Sequence, residues 1–99
     1  MAAEAKLQKY VVQEIARLGG MAEKFSSPSH RGVPDLLVSW PALRGNAPMV
    51  EFIEMKAPGG RVTLLQQKDH ESRRKMGFQV HVLANEAQVE EYLRSRGKP

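Results

Sequence analysis

An aspartate at the head of one apolar run and a Glu-x-Lys at the end of the next are the residues here that could do chemistry. Gly32-Val33-Pro34-Asp35 leads into Leu36-Leu37-Val38-Ser39-Trp40, and after a turn-rich stretch the chain returns as Val50-Glu51-Phe52-Ile53-Glu54-Met55-Lys56. Two β-rich runs joined by a loop containing Arg44-Gly45-Asn46 predict an antiparallel hairpin. Strand alternation puts Val50, Phe52, Glu54 and Lys56 on one face and Glu51, Ile53 and Met55 on the other. The hairpin thereby brings Asp35 to Glu54 and Lys56. Magnesium and manganese prefer carboxylate oxygens and retained waters. Asp35 and Glu54 are therefore candidate ligands, with the backbone carbonyl of Met55 as a third. Lys56 beside such an ion could orient a water or stabilise charge on a phosphorane-like transition state. Taken alone, Glu-x-Lys is common surface decoration. Its company argues for a site: Gly-x-Pro-Asp on the partner strand, an apolar face behind Glu54, and Gly-Gly and a glutamine-bearing helix downstream.

Other elements must hold that hairpin. Leu7, Val11, Ile15 and Leu18 recur at helical spacing from about Ala3 to Leu18, and Gly19-Gly20 stops the helix. Glu4 lies on the same stripe, with Glu14 at its edge as a geometric rival. Either acid could simply be a surface charge, and Glu4 suits a helix N-terminus. Met21 to Phe25 is a candidate short strand. Ser26 to Gly32 is a polar loop whose His30 and Arg31 could meet phosphates or merely connect elements.

After Ala57-Pro58-Gly59-Gly60-Arg61, Thr63 with Gln66 reads as a capping box opening a helix from about Leu64 to Met76. That helix is too polar to be buried all round. Its Leu65, Ser72 and Met76 edge is expected to pack, and Arg73-Arg74-Lys75 reads as a solvated face that could also meet DNA. Phe78 to Ala84 is a third clear strand, expected parallel to the strand before the helix. Asn85 caps a last helix through about Arg96, with Val89, Tyr92 and Leu93 inward. His70 and His81 have no second histidine at zinc spacing and are expected in ordinary surface or core roles.

Ninety-nine residues, 41% hydrophobic and 26% charged, suit a single domain spanning 1–99. The absence of cysteine excludes disulfides and a thiolate zinc site. No apolar run approaches a membrane span of roughly 20 residues, and no secretory leader is recognisable, so the expected compartment is the cytoplasm. A formal charge of +4 and a pI near 9.7 favour a polyanionic partner.

The ordered set of motifs resembles the virus-type replication-repair nuclease (VRR-NUC) domain, a branch of the PD-(D/E)xK nuclease superfamily. The matching residues are Glu4 with Leu7-Gln8, Gly19-Gly20, Gly32-Val33-Pro34-Asp35-Leu36, Glu54-Met55-Lys56, and Gly59-Gly60-Arg61-Val62-Thr63-Leu64-Leu65-Gln66. They run from Glu4 to about Val82. Leu64 stands where the family often has proline, which suits a helix start equally.

The resemblance implies an α/β fold of the restriction-endonuclease type, with a central mixed sheet flanked by helices. It also implies that Asp35 and Glu54 bind Mg2+ or Mn2+ and that Lys56 is the catalytic lysine. Glu4 rather than Glu14 would support the metal, directly or through water, and Gln66 would complete the motif. DNA would be held by His30, Arg31 and Arg61. Similarity to stand-alone phage-type members, and through them to Holliday-junction resolvases, implies a homodimer cutting branched DNA within a bacterial host cell. The rival readings are an inactive nucleic-acid-binding module of the same fold and a flap- or single-strand-specific nuclease.

Overall fold

The computed structural model describes residues 2–42 and 45–99. Arg44, placed in the hairpin loop above, and its neighbour Leu43 lie outside them. The chain runs α1 (Ala2–Arg17), β1 (Met21–Lys24), β2 (Leu36–Trp40), β3 (Met49–Met55), α2 (Leu64–Lys75), β4 (Val80–Leu83) and α3 (Glu86–Ser95). The strands lie in sequence order in one four-stranded sheet. β1–β2 and β2–β3 are antiparallel, and β3–β4 is parallel. The mixed α/β architecture, the hairpin and the parallel return after a helix all follow the expectation.

One sheet face carries the core. Val11 and Ile15 of α1 and Val89, Tyr92 and Leu93 of α3 close over Leu36, Val38, Ile53, Met55 and Leu83. Gly20 lets the turn after α1 reach the sheet, since a Cβ there would sit 2.7 Å from the Trp40 ring. The expected inward residues of α3 are all buried.

α2 lies against the other face and docks differently from the expectation. Leu65 and Met76 are 51% and 67% exposed, and Ser72 is exposed too. The residues α2 buries are Asp69 and His70. The reason is the surface it meets: Glu54 on β3, the loop at His30, and the Phe25–Phe52 pair offer partners for polar groups. Arg73 makes two hydrogen bonds to Asp69 and lies over the Phe25 and Phe52 rings at 5.1 and 4.7 Å. Arg74 donates to the Val80 carbonyl at 2.7 Å. Two of the three basic residues in that cluster thus hold the helix down, Arg73 half-buried and Arg74 still exposed. Tyr92, expected inward on the last helix, is in the core.

Candidate active site

Asp35 stands one residue before β2, and its Oδ2 accepts the backbone N–H of Met55 at 2.7 Å. That bond ties the head of β2 to the end of β3, the closure the hairpin predicts. Met55 touches the aspartate through its amide nitrogen, while its side chain is buried in the core on the opposite face. Glu54, next in chain, is buried on the Asp35 side. Burial, and then the adjacent Asp35 carboxylate, push the Glu54 pKa up to about 8 against the opposing pull of Lys56. A buried carboxylate crowded against a half-buried one favours either a shared proton or a cation between them.

Gln66 joins the pair to α2. Its Oε1 accepts from Lys56 Nζ at 2.8 Å and from the Thr63 backbone N–H at 2.9 Å, and its Nε2 donates to Glu54 Oε2 at 3.1 Å. Two donors at one end and a carboxylate at the other leave only this amide orientation. The capping-box reading and the motif reading of Gln66 are therefore both satisfied, by one side chain. Lys56 Nζ is also 3.5 Å from Glu54 Oε2. An ammonium has three N–H donors, so at least one stays available.

The loop before Asp35 is fixed from both ends. Gly32 has φ +85, and a Cβ on it would lie 2.6 Å from the Leu65 carbonyl oxygen, so only glycine lets the loop lie against the start of α2. His30 Nε2 bonds Asp69 Oδ1 at 3.0 Å, leaving Nδ1 for another partner. Arg31 and Arg61 are exposed.

Glu4 is half-buried in a groove between α1 and β1, with Gln8, Lys9, Ala22, Lys24 and Leu36. The structure brings Asp35, Glu54, Lys56 and Gln66 together. It does not add Glu4 as a direct third ligand: among the described residues, no three His, Cys, Asp or Glu side chains converge closely enough to hold a metal. Glu14 instead pairs with Arg17 and Lys98, at 3.0 Å each.

One site residue was missed in the sequence. His70 is buried with its Nε2 3.7 Å from Glu54 Oε1, and neither atom has a hydrogen-bond partner. Burial, and then the nearby Arg74, lower its pKa and so disfavour the charged ring. The available signal was local: four residues after Gln66, His70 shares a helix face with it.

A family model described as "VRR-NUC domain" matches residues 4–87. The chain belongs to the VRR-NUC family. It is 42% identical over 80 residues, 81% of each chain, to a protein named "Putative nuclease p44" of Acyrthosiphon pisum secondary endosymbiont phage 1. A solved structure described as "VRR_NUC domain" superposes with a TM-score of 0.81 at 33% identity, covering 93% of this chain and 95% of that one. The VRR-NUC match, over residues 4–87, includes Asp35, Glu54, Lys56 and Gln66.

Proposed function

We propose that this VRR-NUC domain is a divalent-metal-dependent endonuclease that hydrolyses phosphodiester bonds of branched DNA as a homodimer. The observation that carries the metal is Glu54: a buried carboxylate raised to about 8 beside a second carboxylate, with Oε1 unpartnered. Such a pair fits a hard cation, and Asp35 and Glu54 would hold it, with the Met55 carbonyl and a water-linked Glu4 as further donors. A bound Mg2+ or Mn2+ would supply Lewis-acid charge at the scissile phosphate and make a nearby water easier to deprotonate.

The chain's own residues do the rest. Gln66 fixes Lys56, whose free N–H meets the charge that grows on the phosphate oxygens. The attacking water loses a proton and bonds to phosphorus opposite the leaving oxygen. The phosphorus bond to that oxygen then breaks, and the oxygen takes up a proton. His30, Arg31 and Arg61 hold the strand through its phosphates.

The dimer reading has support in exposed apolar residues on the sheet face that α2 leaves open. Met21, Val50 and Phe78 are 54%, 38% and 41% exposed, and Met21 and Val50 both register with Ser39 of β2. Two symmetric nicks need two sites, which a twofold pair provides.

Four-way, flap, splayed and linear duplex DNAs, incubated with magnesium, with manganese and with chelator, test the activity. Metal-dependent paired nicks in the junction are expected. Cleavage of flaps alone by a protein that sediments as a monomer at micromolar concentration would overturn the junction and dimer parts. No cleavage of any DNA in either metal would leave an inactive binding module.

A further inference from the structure

Glu54 Oε1 and His70 Nε2 are the two buried side-chain atoms without a hydrogen-bond partner among the described residues, and they face each other across 3.7 Å. That separation is beyond a hydrogen bond, and closing it to an ordinary N–H···O length takes a movement of about 0.7 Å. A buried polar atom left without a partner is costly, so two of them in mutual reach call for a reason. Two acceptors so close would repel. The tautomer compatible with an ionised Glu54 is therefore the one with hydrogen on Nε2.

The other oxygen of Glu54 is already held, by Gln66 at 3.1 Å with Lys56 at 3.5 Å. Oε1 is thus the atom that decides whether the carboxylate can still rotate. From this geometry, we infer that His70 is a positioning residue for the metal site: its Nε2–H engages Glu54 Oε1 and fixes the carboxylate plane that presents Glu54 to a divalent cation. A neutral donor suits this place, because it orients the ligand without adding positive charge beside the ion. The ring is preset for the task. Capping by Thr63 and Gln66 fixes the start of α2, and Arg73 and Arg74 clamp the turn that follows His70. Carboxylate ligands that are themselves hydrogen-bonded bind metal more tightly, typically by about 10–100-fold.

The inference rests on the metal reading of Asp35 and Glu54, and its test separates the two. Manganese affinity of the full chain is measured by calorimetry and by manganese-induced melting shifts in H70Q, H70N and H70L, with DNA affinity in chelator as a control. Gln places an N–H near the position of Nε2, whereas Asn is too short to reach Oε1. H70Q is expected to bind manganese within about threefold of the parent, and H70N and H70L about 10–100-fold more weakly, with DNA affinity in chelator unchanged in all three. H70N binding manganese as tightly as the parent overturns the positioning role, and serves as the readout should H70L fail to fold. H70Q as weak as H70N also overturns it. A parent protein that takes up no manganese removes the metal reading itself.

Discussion

Tyr92 on α3 donates its hydroxyl to Oε2 of Glu51 on β3 at 2.7 Å, and both residues are buried. The same carboxylate accepts from Trp40 Nε1 at 2.7 Å, pairs with His81 Nε2 at 2.8 Å and takes two hydrogen bonds from Arg96. Glu51 therefore stands ionised inside the core, on the face opposite Glu54. Burial opposes its charge, but the bonds from Arg96, His81, Tyr92 and Trp40 outweigh burial and hold its pKa well below the ordinary carboxylate range.

A depressed folded-state pKa contributes stability that is complete above the unfolded value and is lost as pH falls below it. Melting temperature should therefore decline below about pH 4.3, the unfolded glutamate value. E51Q should flatten that decline and lower stability at neutral pH by about 3–5 kcal/mol, since it leaves Arg96 facing a neutral group. Thermal melts from pH 3 to 8 on both proteins check the slope and the offset.

D35N and E54Q should abolish metal-dependent cleavage and leave DNA affinity in chelator within a few-fold. E54Q should also melt no lower than the parent in chelator, because it removes one of two crowded carboxylates. Loss of folding and DNA binding together would make the acids structural. K56A should lose about 10²–10³ in rate. K56R should recover only part of it, since a planar guanidinium cannot replace a compact ammonium between Gln66 and Glu54.

Q66E separates the two duties of Gln66. Glutamate serves a capping box as well as glutamine does, so the melting temperature should change little. A third carboxylate would repel Glu54 and draw Lys56 away, and cleavage should fall by at least about 100-fold. Circular dichroism melts and cleavage rates on one preparation decide it.

DNA affinity should drop steeply with salt, by about 0.9 in log-log slope for each phosphate neutralised. R31A and R61A should each reduce the slope by about one and weaken binding to all sequences similarly. A slope unchanged in both would move the strand path elsewhere.

What could be read from the chain was what repeats locally. The stripe from Leu7 to Leu18, the alternation in Val50 to Lys56 and the Thr63–Gln66 box each fix an element within a few residues. The Asp35–Glu54 approach followed from a single hairpin. The unread parts are polar groups made buried by distant partners. Glu51 meets residues 30 to 45 positions later, His81 and Arg96 among them, and nothing near it in sequence announces the meeting. Asp69 and His70 sit in a helix whose composition suggests solvent, and only a carboxylate on β3 and a histidine from the loop give them an inward side. Packing of polar against polar leaves no hydrophobic period to detect.

The residues that clasp this domain lie close together, in the short stretch that follows α3. Lys98 Nζ reaches Tyr10 at 2.7 Å, Glu90 at 2.9 Å and Glu14 at 3.0 Å, while Arg96 supplies the guanidinium for Glu51. A fragment cut after Ser95 would keep α1, the sheet and α3 but lose the guanidinium that meets Glu51. Proteolysis in this stretch would therefore leave a domain with every strand and an unlocked core.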